Sequence, residues 1–173
     1  SNMALHGQPD PQPVFERWHR ALAVDGFLMF STLGPGSLTE LSRIYREHGW
    51  GDPFAPFIDM HDLGDMLVQA GFADPVMDQE LLTLSWPDAQ ALLAELRTVG
   101  GNVSPHRHAG LRTPRWREQL EAALQAQAAD GRPTLSFELV YGHAFKAAPR
   151  ARVQAETTVA LSDLRAMIKS SKR

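Results

Sequence analysis

Apolar residues recur along this chain with two periods, and each period marks an element. The run Phe27-Leu28-Met29-Phe30-Ser31-Thr32-Leu33 lies between the turn Asp25-Gly26 and the bend Gly34-Pro35-Gly36. An unbroken apolar run bounded by turn residues predicts a strand buried on both faces. The bend after it puts flexible backbone where α/β proteins collect their ligands. Leu135, Phe137, Leu139, Tyr141 and Phe145 alternate with Ser136, Glu138, Val140, Gly142 and Lys146, which predicts the clearest strand. A further strand is read from Pro75 to about Trp86, around Leu81, Leu82 and Leu84.

The helical period appears elsewhere. Val14, Phe15, Trp18 and Leu22 predict a helix over about 11–23, with Asp10 as cap and Pro11 at its first position. Ser37 and Glu40 read as a capping box that opens a helix with the face Leu38, Leu41, Ile44 and Tyr45. Asp59 caps a third helix, and Gly71 closes it in the left-handed conformation. Pro87 opens a fourth, whose apolar positions end at Gly100-Gly101. Thr113-Pro114 opens a fifth, with Trp116, Leu120 and Leu124 on one face, stopping at Asp130-Gly131. The loop 49–57 holds Trp50, Phe54 and two prolines, too apolar for a plain solvent loop, so it is expected to pack on something or to line a site. Residues 148–173 turn polar and basic and read as a solvated tail.

Composition narrows the class. The chain has 173 residues, enough for one domain or part of a larger one. Its net charge of −3 argues against a general nucleic-acid binder. It has no cysteine, which excludes disulfides and thiolate chemistry. No apolar run reaches the roughly 18–20 residues of a membrane helix, and the polar, proline-rich start has no signal-peptide pattern. A soluble cytoplasmic protein with no membrane or nucleic-acid partner is expected. The element order is helix, strand, two helices, strand, two helices, strand. Three strands are too few for a free-standing doubly wound sheet, so the chain reads as half of something.

Candidate chemistry is sparse. His106 and His108 flank Arg107 but have no third partner, and no metal site is assigned. Arg107, in a polar segment between two amphipathic helices, has the chemistry to hold a carboxylate bidentately. As a bare segment it also reads as solvated loop. Asp59 and Asp62 are explained as a cap and a first-turn charge. There is no nucleophile elbow and no Walker loop, and no catalytic residue is assigned.

Several motifs carry a resemblance in order and spacing. Arg20 to Leu41, RALAVDGFLMFSTLGPGSLTEL, resembles the fifth-strand region of the biotin-pathway malonyl-acyl-carrier-protein O-methyltransferases, which are class I S-adenosylmethionine-dependent enzymes. Phe57 to Asp78 resembles the helix and sixth strand of that family, and Leu139 to Lys146 its last strand. Ser1 to His6 is similar to its segment after the fourth strand, with Gly7 where that pattern has tryptophan. Asn102 to Leu111, NVSPHRHAGL, resembles the arginine-bearing lid pattern, with His106 in place of a glycine.

The resemblance implies an α/β fold: the C-terminal part of a Rossmann-like methyltransferase sheet, strands five, six and seven. Residues 1–147 would form it, with a helical lid at about 86–131. The N-terminal cofactor-binding strands, with their glycine-rich loop and acidic ribose ligand, have no counterpart here. The implied reaction is methyl transfer to the free carboxylate of malonyl-acyl-carrier-protein. The implied cofactor is S-adenosylmethionine, with Asn2 near its site. Arg107 falls on the carboxylate-binding arginine and Trp86 on an aromatic of the substrate pocket. The chain alone is expected to be inactive, as a truncated portion of the enzyme. The alternative is a non-catalytic binding or regulatory module on the same fold, with Arg112, Arg115 and Arg117 facing an acidic carrier protein. Without strands one to four, the Phe27–Leu33 strand is expected to expose an edge and to form a homodimer through it.

Overall fold

The structure, a computed structural model, describes residues 1–100, 102–128 and 130–149. All but the first two residues of the predicted tail lie outside the described residues. The sheet contains β1 (Phe27–Leu33), β2 (Ala73–Ser85) and β3 (Thr134–Phe145) in the order β1-β3-β2. The last strand in sequence lies in the middle and runs antiparallel to both neighbours. The strands likened to the fifth, sixth and seventh therefore stand in the order five, seven, six. Periodicity located all three but could not order them, because alternation reports faces and not neighbours.

Helices α1 (Gln12–Ala21) and α3 (Met60–Gln69) pack on one face of the sheet. Phe15, Leu63 and Leu67 are buried there against Leu28, Phe30, Val140 and Ala144. Burial of such side chains stabilises by about 1.5–3 kcal/mol each. Asp59 accepts a hydrogen bond from the His61 amide at 2.8 Å, the predicted cap, and Gly71 closes α3 at φ +98°. A second cluster gathers α2 (Thr39–Glu47), α4 (Ala89–Val99) and α5 (Pro114–Ala126) around the start of β3. Ile44, Leu92, Leu120 and Leu135 form its centre. Asp88 and Thr113 cap α4 and α5 through the amides of Ala91 and Trp116.

Three local expectations change. First, β1 is not buried on both faces: Leu28 and Phe30 are inside, whereas Phe27 is 56% and Met29 61% exposed. Helices cover one side of that end of the strand, so a continuous apolar run did not mean two covered faces.

Second, Ser37 and Glu40 do not form a capping box. The residue preceding α2 is Leu38, in the left-handed conformation at φ 56° and without a side-chain cap. Ser37 Oγ instead bonds both backbone groups of Glu138, and Glu40 accepts from the Ser136 amide and hydroxyl. β3 arrives with unpaired backbone groups, and these outcompete the helix start for both side chains.

Third, the Gly34-Pro35-Gly36 bend is fixed in place. A Cβ on Gly34 would lie 2.8 Å from Glu138 Cδ, and one on Gly36 would lie 2.7 Å from Glu138 Oε2. The Gly36 amide donates to that carboxylate. A Cβ on Gly34 would also lie 2.9 Å from Cγ2 of the buried Val140, so glycine there lets the backbone close on β3.

The edge of β1 is partly covered by the chain itself. The Ser31 amide donates to the Ser1 carbonyl and the Met3 amide to the Ser31 carbonyl, both at 3.0 Å. Asn2 and Ser31 thus form a parallel bridge.

A candidate ligand cavity at the carboxyl end of β1

A cavity of about 1080 Å³ opens where β1 ends. The N-terminal segment, α2, the loop 49–57 and the lid helices α4 and α5 line it. This is the place an α/β sheet offers a ligand, beyond the carboxyl end of a strand. Its walls are mainly apolar: Leu33 ends β1, Leu41 comes from α2, Leu93 and Leu96 from α4, and Leu120 from α5. The helical spacing that buries one stripe of α4 and α5 also aims the stripe's margin at the cavity. The loop 49–57 lines it through Pro53, Phe54 and Phe57, with the Phe54 and Phe57 rings stacked at 5.0 Å.

An aromatic triad stands at one end. Tyr45 and Trp116 line the cavity wall, and Trp50 meets both. The Tyr45–Trp50 and Trp50–Trp116 centroids are each 5.6 Å apart, edge to face. Arg112 lies over the Trp116 ring, 4.9 Å from its centroid, and its Nη2 donates to the Trp50 carbonyl at 2.8 Å. Burial pushes the Tyr45 phenol above its ordinary range, and the nearby Arg112 charge works against that rise. His6 also faces the cavity; burial lowers its pKa, and its Nδ1 has no hydrogen-bond partner among the described residues. It is therefore neutral at neutral pH.

The residues singled out from sequence fall in separate places. Asn2 accepts from the Ser31 hydroxyl at 2.7 Å on the β1 edge, beside Met3 and Ala4 on the cavity wall. Trp86 is buried in the second cluster, where its Nε1 donates to Glu95 at 2.5 Å and its ring packs on Phe137. Arg107 is on the exposed lid turn, with Nη1 3.5 Å from the Ser104 carbonyl, and is not on the cavity wall. The structure does not bring these three together.

The three arginines read as a surface patch also divide. Arg112 turns inward, Arg117 pairs with Glu121 at 2.7 Å, and Arg115 is exposed. Sequence reasoning missed Arg112 as a cavity residue. Its spacing of i, i+4 to Trp116 across a proline-led helix start was the available signal.

With this geometry in hand, similarity to known proteins is informative. No protein-family model matches the chain. A malonyl-acyl-carrier-protein O-methyltransferase from Laribacter hongkongensis is 41% identical over 153 residues, 88% of this chain and 52% of that protein. One from Gallionella capsiferriformans is 43% identical over 152 residues, 87% of this chain and 52% of its own length. The chain is related in sequence to part of a malonyl-acyl-carrier-protein O-methyltransferase. It spans about half the length of these methyltransferase relatives. A solved Bacillus halodurans structure, described as a candidate methyltransferase, shares the fold with a TM-score of 0.54 at 13% identity. It is matched over 85% of this chain and 62% of its own.

Proposed function

We propose that this chain is the substrate-side portion of an S-adenosylmethionine-dependent O-methyltransferase that acts on the free carboxylate of malonyl-acyl-carrier-protein. The observation that carries the reading is the mainly apolar cavity at the carboxyl end of β1, lined by lid helices and holding a half-buried arginine. A carboxylate is already a nucleophile at neutral pH, so no strong base is needed. What the chain must do is align the carboxylate and exclude water. Apolar walls from α4, α5 and the aromatic loop serve the second need. In this reading the resemblance implies Arg107 as the carboxylate ligand; Arg107 stands on the exposed lid turn and Trp86 is buried beside Phe137, both off the cavity wall.

The cofactor side is incomplete in these residues. S-adenosylmethionine supplies the electrophilic methyl group. The carboxylate beside the carboxyl end of β1, Glu138, is committed to the Gly36 amide and does not offer a ribose ligand. Asn2 stands near the cavity but spends its side-chain oxygen on Ser31. The residues present do not fit the cofactor by themselves, and the chain alone is expected not to turn over.

Two measurements test the reading. Calorimetric titration of this chain with S-adenosylhomocysteine should give no micromolar binding. When the chain is extended by the segment its relatives carry, transfer of labelled methyl to malonyl-acyl-carrier-protein should appear. Absence of transfer by the extended protein overturns the methyltransferase reading in favour of a non-catalytic binding module.

The support for a homodimer now comes from a face as well as an edge. Ser1–Met3 occupies part of the β1 edge, while Phe27, Met29 and Phe145 lie exposed on one side of the sheet. An apolar patch of this kind favours association with another surface.

A further inference from the structure

We propose that Gly7 sets the size of acyl group the cavity takes, and that the space it leaves open admits ω-carboxyacyl thioesters longer than malonyl. The inference rests on the substrate-side reading above and widens its substrate class. Gly7 is a glycine that the backbone does not require. Gly71 is left-handed at φ +98°, and Gly34, Gly36 and Gly142 have neighbours 2.8, 2.7 and 2.3 Å from where a Cβ would stand. Gly7 has neither reason: its φ is not positive, and a Cβ built there meets nothing within 4 Å. Of the two described glycines on the cavity wall, Gly7 and Gly100, only Gly100 has a positive φ, at 140°.

The position is fixed by its neighbours. Gly7 ends a short turn of 3-10 helix, Leu5–Gly7, in which Leu5 is buried in the first core cluster. The Gln8 amide closes that turn on the Leu5 carbonyl at 2.9 Å. A side chain at residue 7 therefore starts from an anchored point on the cavity wall, next to His6. The motif that this segment resembles has tryptophan at the same place, so the opening belongs to this chain rather than to the motif.

The space suits methylenes. Leu33, Leu38, Leu41, Leu93 and Leu96 line the same cavity. Each further methylene buried among such side chains tightens binding by about fourfold. The terminal carboxylate, the methyl acceptor of the reading above, is common to malonyl and its longer homologues, so only length varies along the series. A large side chain at residue 7 takes up the space without moving the backbone, and long acyl groups lose their room first.

The test is a calorimetric titration of the full chain with malonyl-pantetheine and with glutaryl-pantetheine. The unmodified chain should bind the glutaryl compound about tenfold more tightly, the effect of two more buried methylenes. Gly7→Trp should erase that preference with malonyl binding and the far-ultraviolet circular dichroism unchanged, and Gly7→Ala should keep it. Where Gly7→Trp does not fold, Gly7→Leu carries the test and should lose part of the preference. Glutaryl-pantetheine bound no more tightly than malonyl-pantetheine, no binding of either, or a preference that survives in the folded large-residue variant overturns the proposal. A variant that loses both compounds equally overturns it as well. The outcome is separable from the reaction. A Gly7-dependent preference for glutaryl, with no methyl transfer in the extended protein, removes the methyltransferase reading and leaves the size determinant. Transfer to malonyl-acyl-carrier-protein without a glutaryl preference keeps that reading and removes this proposal.

Discussion

Ser37 closes two hydrogen bonds on the backbone of Glu138: its hydroxyl donates to the carbonyl at 3.1 Å and accepts from the amide at 2.9 Å. Ser37 is 1% exposed, so water cannot replace those bonds. The pair fastens the end of the β1 bend to the central strand, in the stretch between the cavity residues Leu33 and Leu38. Ser37→Ala leaves the Glu138 amide unpaired, while the Glu138 carbonyl keeps the Gly34 amide as donor. The expected loss is about 1–3 kcal/mol of stability, read as a lowered midpoint in urea denaturation. An unchanged midpoint removes the fastening role.

Gly142 lies directly under Phe30 in the register of β1 and β3. A Cβ at Gly142 would sit 2.3 Å from two atoms of the Phe30 ring. Gly142→Ala should therefore destabilise by about 1–3 kcal/mol through overpacking. Adding Phe30→Leu should recover part of that loss, a coupling that a double-mutant cycle measures directly.

Asp59 caps α3, and its carboxyl lies below its ordinary range, chiefly because it accepts the His61 amide proton, with the His61 side chain adding to the effect. The sign follows from linkage. A depressed folded-state pKa contributes stability that is present above the unfolded value, about 3.9, and is lost as pH falls through the folded one. The midpoint difference between the unmodified chain and Asp59→Ala should hold steady above about pH 5 and shrink below pH 4. A difference that grows on acidification contradicts this assignment.

Trp86 is a core residue of the lid, tied to Glu95. Trp86→Phe keeps the ring and deletes the donor, which should cost about 1 kcal/mol. Trp86→Ala should cost about 3–5 kcal/mol by opening a cavity beside Phe137 and Leu92. Thermal denaturation of both variants reads the difference.

The exposed pair Phe27 and Met29 predicts self-association. Sedimentation velocity should show a concentration-dependent dimer, and Phe27→Glu with Met29→Lys should return it to monomer. A monomer at all concentrations in the unmodified chain refutes the homodimer.

The chain's one-dimensional pattern determined the elements, because burial imposes periods of two and 3.6 on whatever it covers. The alternation of Leu135 to Phe145 gave β3, and the caps Asp59 and Thr113 marked where α3 and α5 begin. The motifs around Leu33 and Asn102 pointed to the methyltransferase relationship. Pairings between distant segments were decided only in three dimensions. Ser37 and Glu40 satisfy a local capping rule, yet β3 recruits both, since its backbone groups would otherwise be buried unpaired. Arg112 looks like one of several surface charges until α5 places Trp116 under it and the loop brings the Trp50 carbonyl to it. Local sequence governs how each residue can bond; which partner arrives depends on the strand order, and that order is a property of the folded chain alone.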